Sequence, residues 1–508
     1  MIVDLGVTYP KSESLAADNC KEANNRGCRR WGNGRRLTVT QETGNDLCMT
    51  VQWTLSESDS VMDCFPLGEA NWFGGGEEIP QKWPLEKHAD LNHSMVTQET
   101  GNRAVQDPFW FNSEGLSIYV APGVPLFMSI NDANTSNALC LEAKIAEPYR
   151  ERPSGFLLKY HLCKYSDPKE AFVKAVEKYL GKPTGYPDEH MIRYPLWSTW
   201  ARYKAKISDT IVREFANEIK SYGFTNSQLE IDDSWETCYG SKTFDTTRFP
   251  NATQLVSDLK EEGFRVTIWT HPFIQLDCID TLNEANGQGF LVKNAAGIHT
   301  HWWNGDASII DFTKKGAQDW FIQKHKQVMQ NTGLDGFKFD AGETSWLPQL
   351  PDFSETIPAA IDEQYPSLST QMYVETCATF GGISEVRSAY RSQKLPIFLR
   401  MVDKDSRWGD NNGLKSLVTT LLQMNMVGYS MILPDMIGGN QYNAEVATQE
   451  LFIRWLQANT FMPALQYALV PWDFLEKKDE VIRMNFIRVL PFLKVVVKFN
   501  RVNLFFRQ

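Results

Sequence analysis

A chain of 508 residues, 42% of them apolar, has the material for a large buried core and too many hydrophobic side chains to remain disordered. That length suits a barrel of about 250 residues with one or two smaller domains. The net charge is −11 and the basic pairs Arg29–Arg30 and Arg35–Arg36 stand alone, so the chain should repel phosphate backbones, and nucleic acid is not an expected partner.

Residues 1–165 read as an all-β domain of sandwich type. Short alternating runs such as LTVTQ, LCMTVQWTL, LSIYVAPG, PLFMSI and FLLKYHL are separated by Gly, Asn, Asp and Pro punctuation. The string VTQETGN occurs twice, from Val39 and from Val96, which is too little for a solenoid. Nine cysteines occur without a CxxC pair, and four of them (Cys20, Cys28, Cys48 and Cys64) fall in the first 64 residues, a density typical of disulfides. With the sequons at Asn92, Asn134 and Asn251, this predicts a glycoprotein of the secretory pathway or the extracellular space. The opening MIVDLGVTYP carries no signal for secretion, so either the chain as written is incomplete at its start or the secretory reading does not hold. No run of about 20 apolar residues occurs, so no membrane span is expected.

Residues 166–194 read as a linker. From 195 to 475 the rhythm becomes strand, then helix, repeatedly. Eight candidate strands follow: PLWSTWARY, SQLEIDDSW, RVTIWTHPF, GFKFDAGE, EVRSAY, PIFLRMVD, YSMILPDMIG and MPALQYA. Amphipathic helical patterns such as SDTIVREFANEIKSYGF and ATQLVSDLKEEGF lie between them. Eight such units match a (β/α)8 TIM barrel, an α/β fold, and no Gly-rich phosphate loop supports a doubly wound sheet. Residues 476–508 read as a C-terminal remnant.

Active sites of such barrels gather at the C-terminal ends of the strands. Those ends carry Asp232 and Asp233 on the second strand, Asp340 and Glu343 on the fourth, Asp403 and Asp405 on the sixth, and Asp435 on the seventh. Trp269 on the third strand, Trp302 and Trp303 after it, and Arg387 on the fifth accompany them. Any one Asp could simply cap a helix, and Trp302–Trp303 could be a hydrophobic plug. Four strands delivering carboxylates to one rim, with aromatic faces beside them, instead suits oxocarbenium chemistry, in which one carboxylate attacks C1 and a second carries a proton. Lys338, two residues before Asp340 on the same face of its strand, is expected to help keep Asp340 ionised. The acid should then occupy a less positive, partly desolvated spot. Asp311 and His271 read as structural. No HExxH and no GxSxG occurs, so neither a metal nor a cofactor is expected, nor a serine hydrolase.

At these residues the chain resembles the family 31 glycoside hydrolases, retaining enzymes acting on α-linked sugars, and most of all a branch that cleaves α-galactosides. GFKFDAGE resembles the family's fourth-strand motif, which implies Asp340 as nucleophile with Lys338 its neighbour. LEIDDSW resembles the second-strand motif, which implies that Asp232, with Asp233 close by, binds sugar hydroxyls. NWFGGGEE and DPFWFNSEGLSIYV resemble the N-terminal β-sandwich whose loop leans over the barrel mouth, and LPDMIGGN resembles the seventh-strand segment. The match runs from about Asn71 to Phe474. The family places its acid/base after the sixth strand, where RMVDKDSRWGDNN offers Asp403, Asp405 and Asp410. Related α-galactosidases carry an Arg and then an Asp five residues before a Trp, which implies Asp403, between Arg400 and Trp408, with Asp410 the alternative.

The family's α-glucosidases grip the sugar with Arg-x-His on the eighth strand, where this chain has Gln466-Tyr467-Ala468. The resemblance therefore implies an α-galactosidase with a galactoside or related glycan as partner, and the family's C-terminal β domain shortened or missing. Asp340 and Asp403 are the expected catalytic pair. Asp232, Asp233, Trp269, Trp303, Lys338, Arg387 and Trp408 are the expected substrate contacts, and a homodimer is left open. An α-glucosidase or α-xylosidase, or a glycan-binding protein without turnover, are the alternatives.

Overall fold

The structure of the protein, a computed structural model, describes residues 4–7, 25–31, 34–42, 48–152, 154–352 and 365–474. Two antiparallel sheets form the N-terminal part. One has seven strands, in the order Asn25–Arg30, Arg36–Gln41, Cys48–Leu55, Phe156–Lys164, Leu116–Val120, Gln106–Asn112 and Trp72–Gly76. The other has four, in the order Ser60–Pro66, Thr135–Lys144, Leu126–Asp132 and Leu91–Ser94. The period-two pattern drives this pairing: Phe156, Leu158, Tyr160 and Leu162 point inward while Leu157, Lys159 and His161 lie nearer solvent. Trp53, Trp72, Trp110 and Tyr160 fill the space between the sheets.

Disulfides Cys48–Cys163 and Cys64–Cys140 each join directly opposed residues of neighbouring strands. A third, Cys238–Cys278, ties together two loops of the second part, Cys28 is also disulfide-bonded, and Cys377 is a buried free thiol. The stretch read as a linker is helical over Pro168–Ala175, continues as a π-helical turn over Val176–Leu180, and forms a further helix at Glu189–Arg193. Asp167 caps its first helix by accepting from the Glu170 N–H at 2.8 Å.

The second part is an eight-stranded parallel barrel: β1 (Leu196–Ser198), β2 (Gln228–Ile231), β3 (Val266–Thr270), β4 (Gly336–Phe339), β5 (Glu385–Val386), β6 (Phe398–Arg400), β7 (Ile432–Leu433) and β8 (Gln466–Tyr467). Each expected strand contains one of them, in chain order. β8 pairs with β1, and a single parallel bridge between Met436 and Gln466 joins β7 to β8. Between strands run the expected amphipathic helices. Asp209–Ser221, capped by Ser208, buries Val212, Phe215, Ala216 and Ile219 at helical spacing. After β3 the chain makes a small antiparallel sheet of Phe273–Gln275, Gly305–Ile309 and Thr300–Trp302, whose last hairpin carries Trp302 and Trp303.

The second VTQETGN copy, residues 96–102, and the residues just after it form one of several contacts between the two parts. Thr97 O accepts from Thr344 N at 3.0 Å, and Glu99 N donates to Ser345 Oγ at 3.0 Å. Asn102 Nδ2 donates to Asn412 Oδ1 at 2.8 Å, and Ala389 N donates to Ala104 O at 3.0 Å. The described part of the first copy, residues 39–42, runs along the second strand of the seven-stranded sheet to Glu42, which pairs with Lys178 and His161. The C-terminal remnant, 476–508, lies outside the described residues, as does Cys20.

Candidate active site

Asp340 is the first residue beyond β4. Its backbone N–H donates to Thr270 O and its carbonyl accepts from Tyr373 OH, both at 2.8 Å. The chain then turns through Ala341 and Gly342, both at positive φ (61° and 98°). A Cβ on Gly342 would stand 2.4 Å from Ser388 Oγ and 2.5 Å from the Tyr373 ring, so this tight turn requires glycine. The carboxylate is fixed from three sides: Arg400 Nη2 at 2.9 Å and Arg387 Nε at 3.4 Å from Oδ1, and the Trp269 indole N–H donating to Oδ2 at 2.9 Å. Burial would raise its pKa, but the two guanidiniums prevail and hold it below the ordinary carboxylate range.

Lys338 contributes less to this than the sequence suggests. Its ammonium lies 2.8 Å from Asp232 Oδ2 and 3.2 Å from Glu230 Oε1. Burial alone would lower the lysine's pKa; those two carboxylates instead keep it charged and above its usual value. Residues 338 and 340 share a face of β4, and the lysine finds its partners on β2 rather than beside the Asp340 carboxylate. Arg387 and Arg400 supply the principal positive charge at Asp340.

Asp403 follows β6 by three residues. Arg400 Nη1 donates to its Oδ1 at 2.7 Å, Tyr442 OH donates to Oδ2 at 2.5 Å, and Asn412 Nδ2 holds its backbone carbonyl at 2.7 Å. Arg400 thus carries Asp340 on one terminal nitrogen and Asp403 on the other. One guanidinium and two hydrogen bonds separate the Oδ1 atoms, which are no more than about 8 Å apart. Burial raises the Asp403 pKa, but Arg400, Arg387 and the Tyr442 hydroxyl overcome it and hold the carboxyl far below its usual range. The expected less positive setting for the acid is therefore absent: Arg400 and Arg387 stabilise both carboxyls as anions.

The alternatives to Asp403 face elsewhere. Asp405 lies 3.1 Å from Arg407, and Asp410 pairs with Lys82 at 2.5 Å and Lys415 at 3.3 Å. Asp232 is buried and accepts from Lys338 and, at 3.3 Å, from Ser198 Oγ. Asp233 accepts from Tyr239 OH at 2.7 Å, and burial pushes its carboxyl up to about 6. Arg387 makes a bidentate pair with Glu343, at 2.7 and 3.0 Å, and its guanidinium lies 5.2 Å over the Trp303 ring. Trp303 is 40% exposed and Trp302 fully buried, so the pair divides into an open face and a plug.

Trp408 is not brought to this cluster. It is 50% exposed, and no hydrogen bond or ring contact among the described residues links it to Asp340 or Asp403. Asp311 is buried and satisfied by Thr313, and His271 is buried against Glu236, 3.3 Å away. On β8, Gln466 Nε2 reaches Glu230 Oε1 at 3.5 Å, Tyr467 stacks on Trp197, and Ala468 is buried, so neither flanking residue adds a cation there.

Sequence reasoning missed the central place of Arg400, although it ends β6 where the same strand-end rule would have found it. It also missed Tyr442, which lies on an irregular loop and carries no local signal. Glu99, from the sandwich, is a third acidic group close enough for its electrostatic field to act on both Asp340 and Asp403.

The comparisons agree with this architecture. Residues 193–468 match the model of the glycosyl hydrolases family 31 TIM-barrel domain, and residues 39–148 that of the myogenesis-regulating glycosidase N-terminal domain. The chain is 32% identical to the myogenesis-regulating glycosidase of Mus musculus over 493 residues, covering 91% of this chain and 68% of that protein. It is 25% identical to a SITS-binding protein of Tetronarce californica, covering 91% of this chain and 66% of the relative. Among solved structures, a family 31 sulfoquinovosidase from E. rectale superposes with a TM-score of 0.70 at 13% identity, over 94% of this chain and 74% of its own. A barrel-wide family match and a relative sharing about a third of its residues lead to one statement: the chain belongs to family 31 of the glycosyl hydrolases.

Proposed function

We propose that the protein is a retaining α-galactosidase in which Asp340 is the nucleophile and Asp403 the acid/base. The observation that carries this reading is the shared guanidinium of Arg400, which holds both carboxylates at the C-terminal mouth of the barrel. In the first half-reaction an Asp340 oxygen bonds to C1 as the C1–O bond to the leaving group breaks, and Asp403 delivers a proton to the departing oxygen. In the second, Asp403 takes a proton from water, the water oxygen bonds to C1, and the Asp340 ester bond breaks. Arg387, Arg400 and the Trp269 N–H keep Asp340 ionised for the attack. Asp232, Asp233, Lys338 and the open face of Trp303 are assigned to the sugar, and Trp408 to outer parts of the glycan.

The choice of galactose rests on the resemblance and on β8. With Gln466 turned to Glu230 and Ala468 buried, the strand lacks the cationic donors with which glucosidases of the family grip glucose, and a site that discriminates by hydrogen bonds penalises unpaired hydroxyls. Three described disulfides support a secreted or lumenal location for the protein.

The test is hydrolysis of an aryl α-galactoside with the product anomer followed by NMR. Retention and loss of turnover in Asp340→Asn are expected; inversion, or full activity in that variant, would end the proposal. A panel of aryl α-glucosides and α-xylosides separates the other sugars. The competing reading, a glycan-binding protein without turnover, draws on the anionic hold on Asp403, and galactose binding with no hydrolysis at any pH would favour it.

A further inference from the structure

Tyr442 lies seven residues beyond Asp435 on the loop between β7 and the helix Gln449–Asn459. The backbone around it is unusual: Gln441, Asn443 and Ala444 all have positive φ (53°, 53° and 62°). Only surrounding contacts sustain such a conformation in residues other than glycine. Some of those contacts come from the segment after β6, where Ser406 Oγ accepts from Gln441 N at 3.0 Å, and those at Tyr442 come from the segment after β1. The Trp200 indole N–H donates to the Tyr442 hydroxyl oxygen at 2.9 Å, and Lys204 Nζ lies 4.5 Å over the phenol ring. Lys204 is itself fixed by the Asn440 carbonyl.

Donor and acceptor roles follow from chemistry. An indole nitrogen only donates, so the phenol accepts from Trp200 and turns its own hydrogen to Asp403 Oδ2, 2.5 Å away. Arg400 likewise only donates, and it occupies Oδ1. A proton carried by Asp403 therefore resides on Oδ2, where Tyr442 already fills one lone pair.

We propose that Tyr442 is a positioning residue for proton transfer by Asp403, fixing the orientation of Oδ2 and leaving one lone pair of that oxygen to exchange the proton with the leaving group and with water. The inference rests on the reading of Asp403 as acid/base. Tyr442 forms and breaks no covalent bond. The Oδ2 proton passes to the glycosidic oxygen in the first half-reaction and is recovered from water in the second, while the phenol keeps its own hydrogen.

Several other groups act on the same carboxyl. Arg400 and Arg387 approach from β6 and β5, and Lys204 from β1. Asp340, Asp435 and Glu99 oppose its ionisation from β4, β7 and the sandwich loop. Among these, Tyr442 can lose its donor without changing the net charge.

The experiment is the pH profile of kcat/KM for Tyr442→Phe, measured with the best substrate of the aryl α-glycoside panel. Phenylalanine keeps the ring beneath Lys204 and removes only the hydroxyl. Loss of a donor to an anion raises the Asp403 pKa, so the protonated acid persists to higher pH. The alkaline limb should move up by about one pH unit. Trp200→Phe, which frees the phenol to rotate, should shift that limb the same way by a smaller amount.

Asp403→Ala with added azide serves as the control. If azide restores turnover and the limb of Tyr442→Phe stays within about 0.3 unit of the parent, the positioning role is wrong while the acid/base assignment stands. If azide restores nothing, the assignment fails and the inference with it.

Discussion

Replacing Arg400 by methionine should destabilise the protein far more at pH 7 than at pH 4. The guanidinium is buried, with Asp403 at 2.7 Å, Asp340 at 2.9 Å and Asp435 at 3.2 Å. Methionine fills much of the space of the arginine stem, so packing loss is modest and the principal change is electrostatic. Removing one partner of a buried ionic network costs about 3–5 kcal/mol, because the remaining charges are left desolvated and, here, repel one another. The pH dependence identifies the cause. Asp340 and Asp403 have pKa values below their unfolded values, so in the parent they contribute stability present above about pH 4 and lost as pH falls through the folded values. In the variant that contribution is gone, and both carboxyls gain protons more readily than in the parent. Urea unfolding at the two pH values should therefore give a loss of about 3–5 kcal/mol at pH 7 and less than about half of that at pH 4. Equal losses at both would show that Arg400 acts through its volume, and the account of the paired carboxylates would have to be abandoned.

Two further outcomes follow from contacts away from the carboxylates. Asn102→Gly removes the amide that holds Asn412, and through it the Asp403 carbonyl, while tolerating the positive φ of 53° at that position. One neutral hydrogen bond is worth about 0.5–1.5 kcal/mol, so stability should fall by no more than that and kcat/KM by up to about 12-fold; no fall in kcat/KM would detach the sandwich loop from catalysis. The double variant Cys238→Ser, Cys278→Ser opens a loop whose ends are 40 residues apart. Chain entropy sets the stability loss near 4 kcal/mol, read as a lower urea midpoint, and a loss under about 1 kcal/mol would contradict it.

The barrel was legible because its strands are short, fully buried segments, such as QLEI and VTIWT, spaced regularly between helices with clear 3.6-residue periodicity. The rim was legible for a related reason: side chains alternate along a strand, so Lys338 and Asp340 had to share a face. Alternation does not report how deep each layer lies, so the direct partners of Lys338, Asp232 and Glu230, were not foreseen, although its charge does help keep Asp340 ionised. The five-residue spacing from Asp403 to Trp408 likewise says nothing about where the intervening loop turns, and the structure leaves Trp408 half exposed. Tyr442 and Asn412 reach Asp403 from irregular segments 39 and 9 residues away in sequence, where no periodic pattern restricts direction. Pairings of that kind are decided by tertiary closure and leave no local trace.

Arg400 makes the ionisation of Asp340 and Asp403 a joint property. Any proton taken up by Asp403 weakens its ion pair and leaves more of the guanidinium's charge to Asp340, so protonating the acid strengthens the hold on the nucleophile's anionic form. The two roles, one carboxyl protonated and the other charged, thereby favour each other, although the guanidiniums hold both carboxyls below their usual range. A sugar entering between them and displacing water would increase this coupling, since charges interact more strongly in a drier site. It follows that the acid-side rise of kcat/KM reports the pair rather than either residue. A substitution at one carboxyl should therefore move the apparent titration of the other, and independent titrations in Asp403→Asn and the parent would show the coupling to be absent.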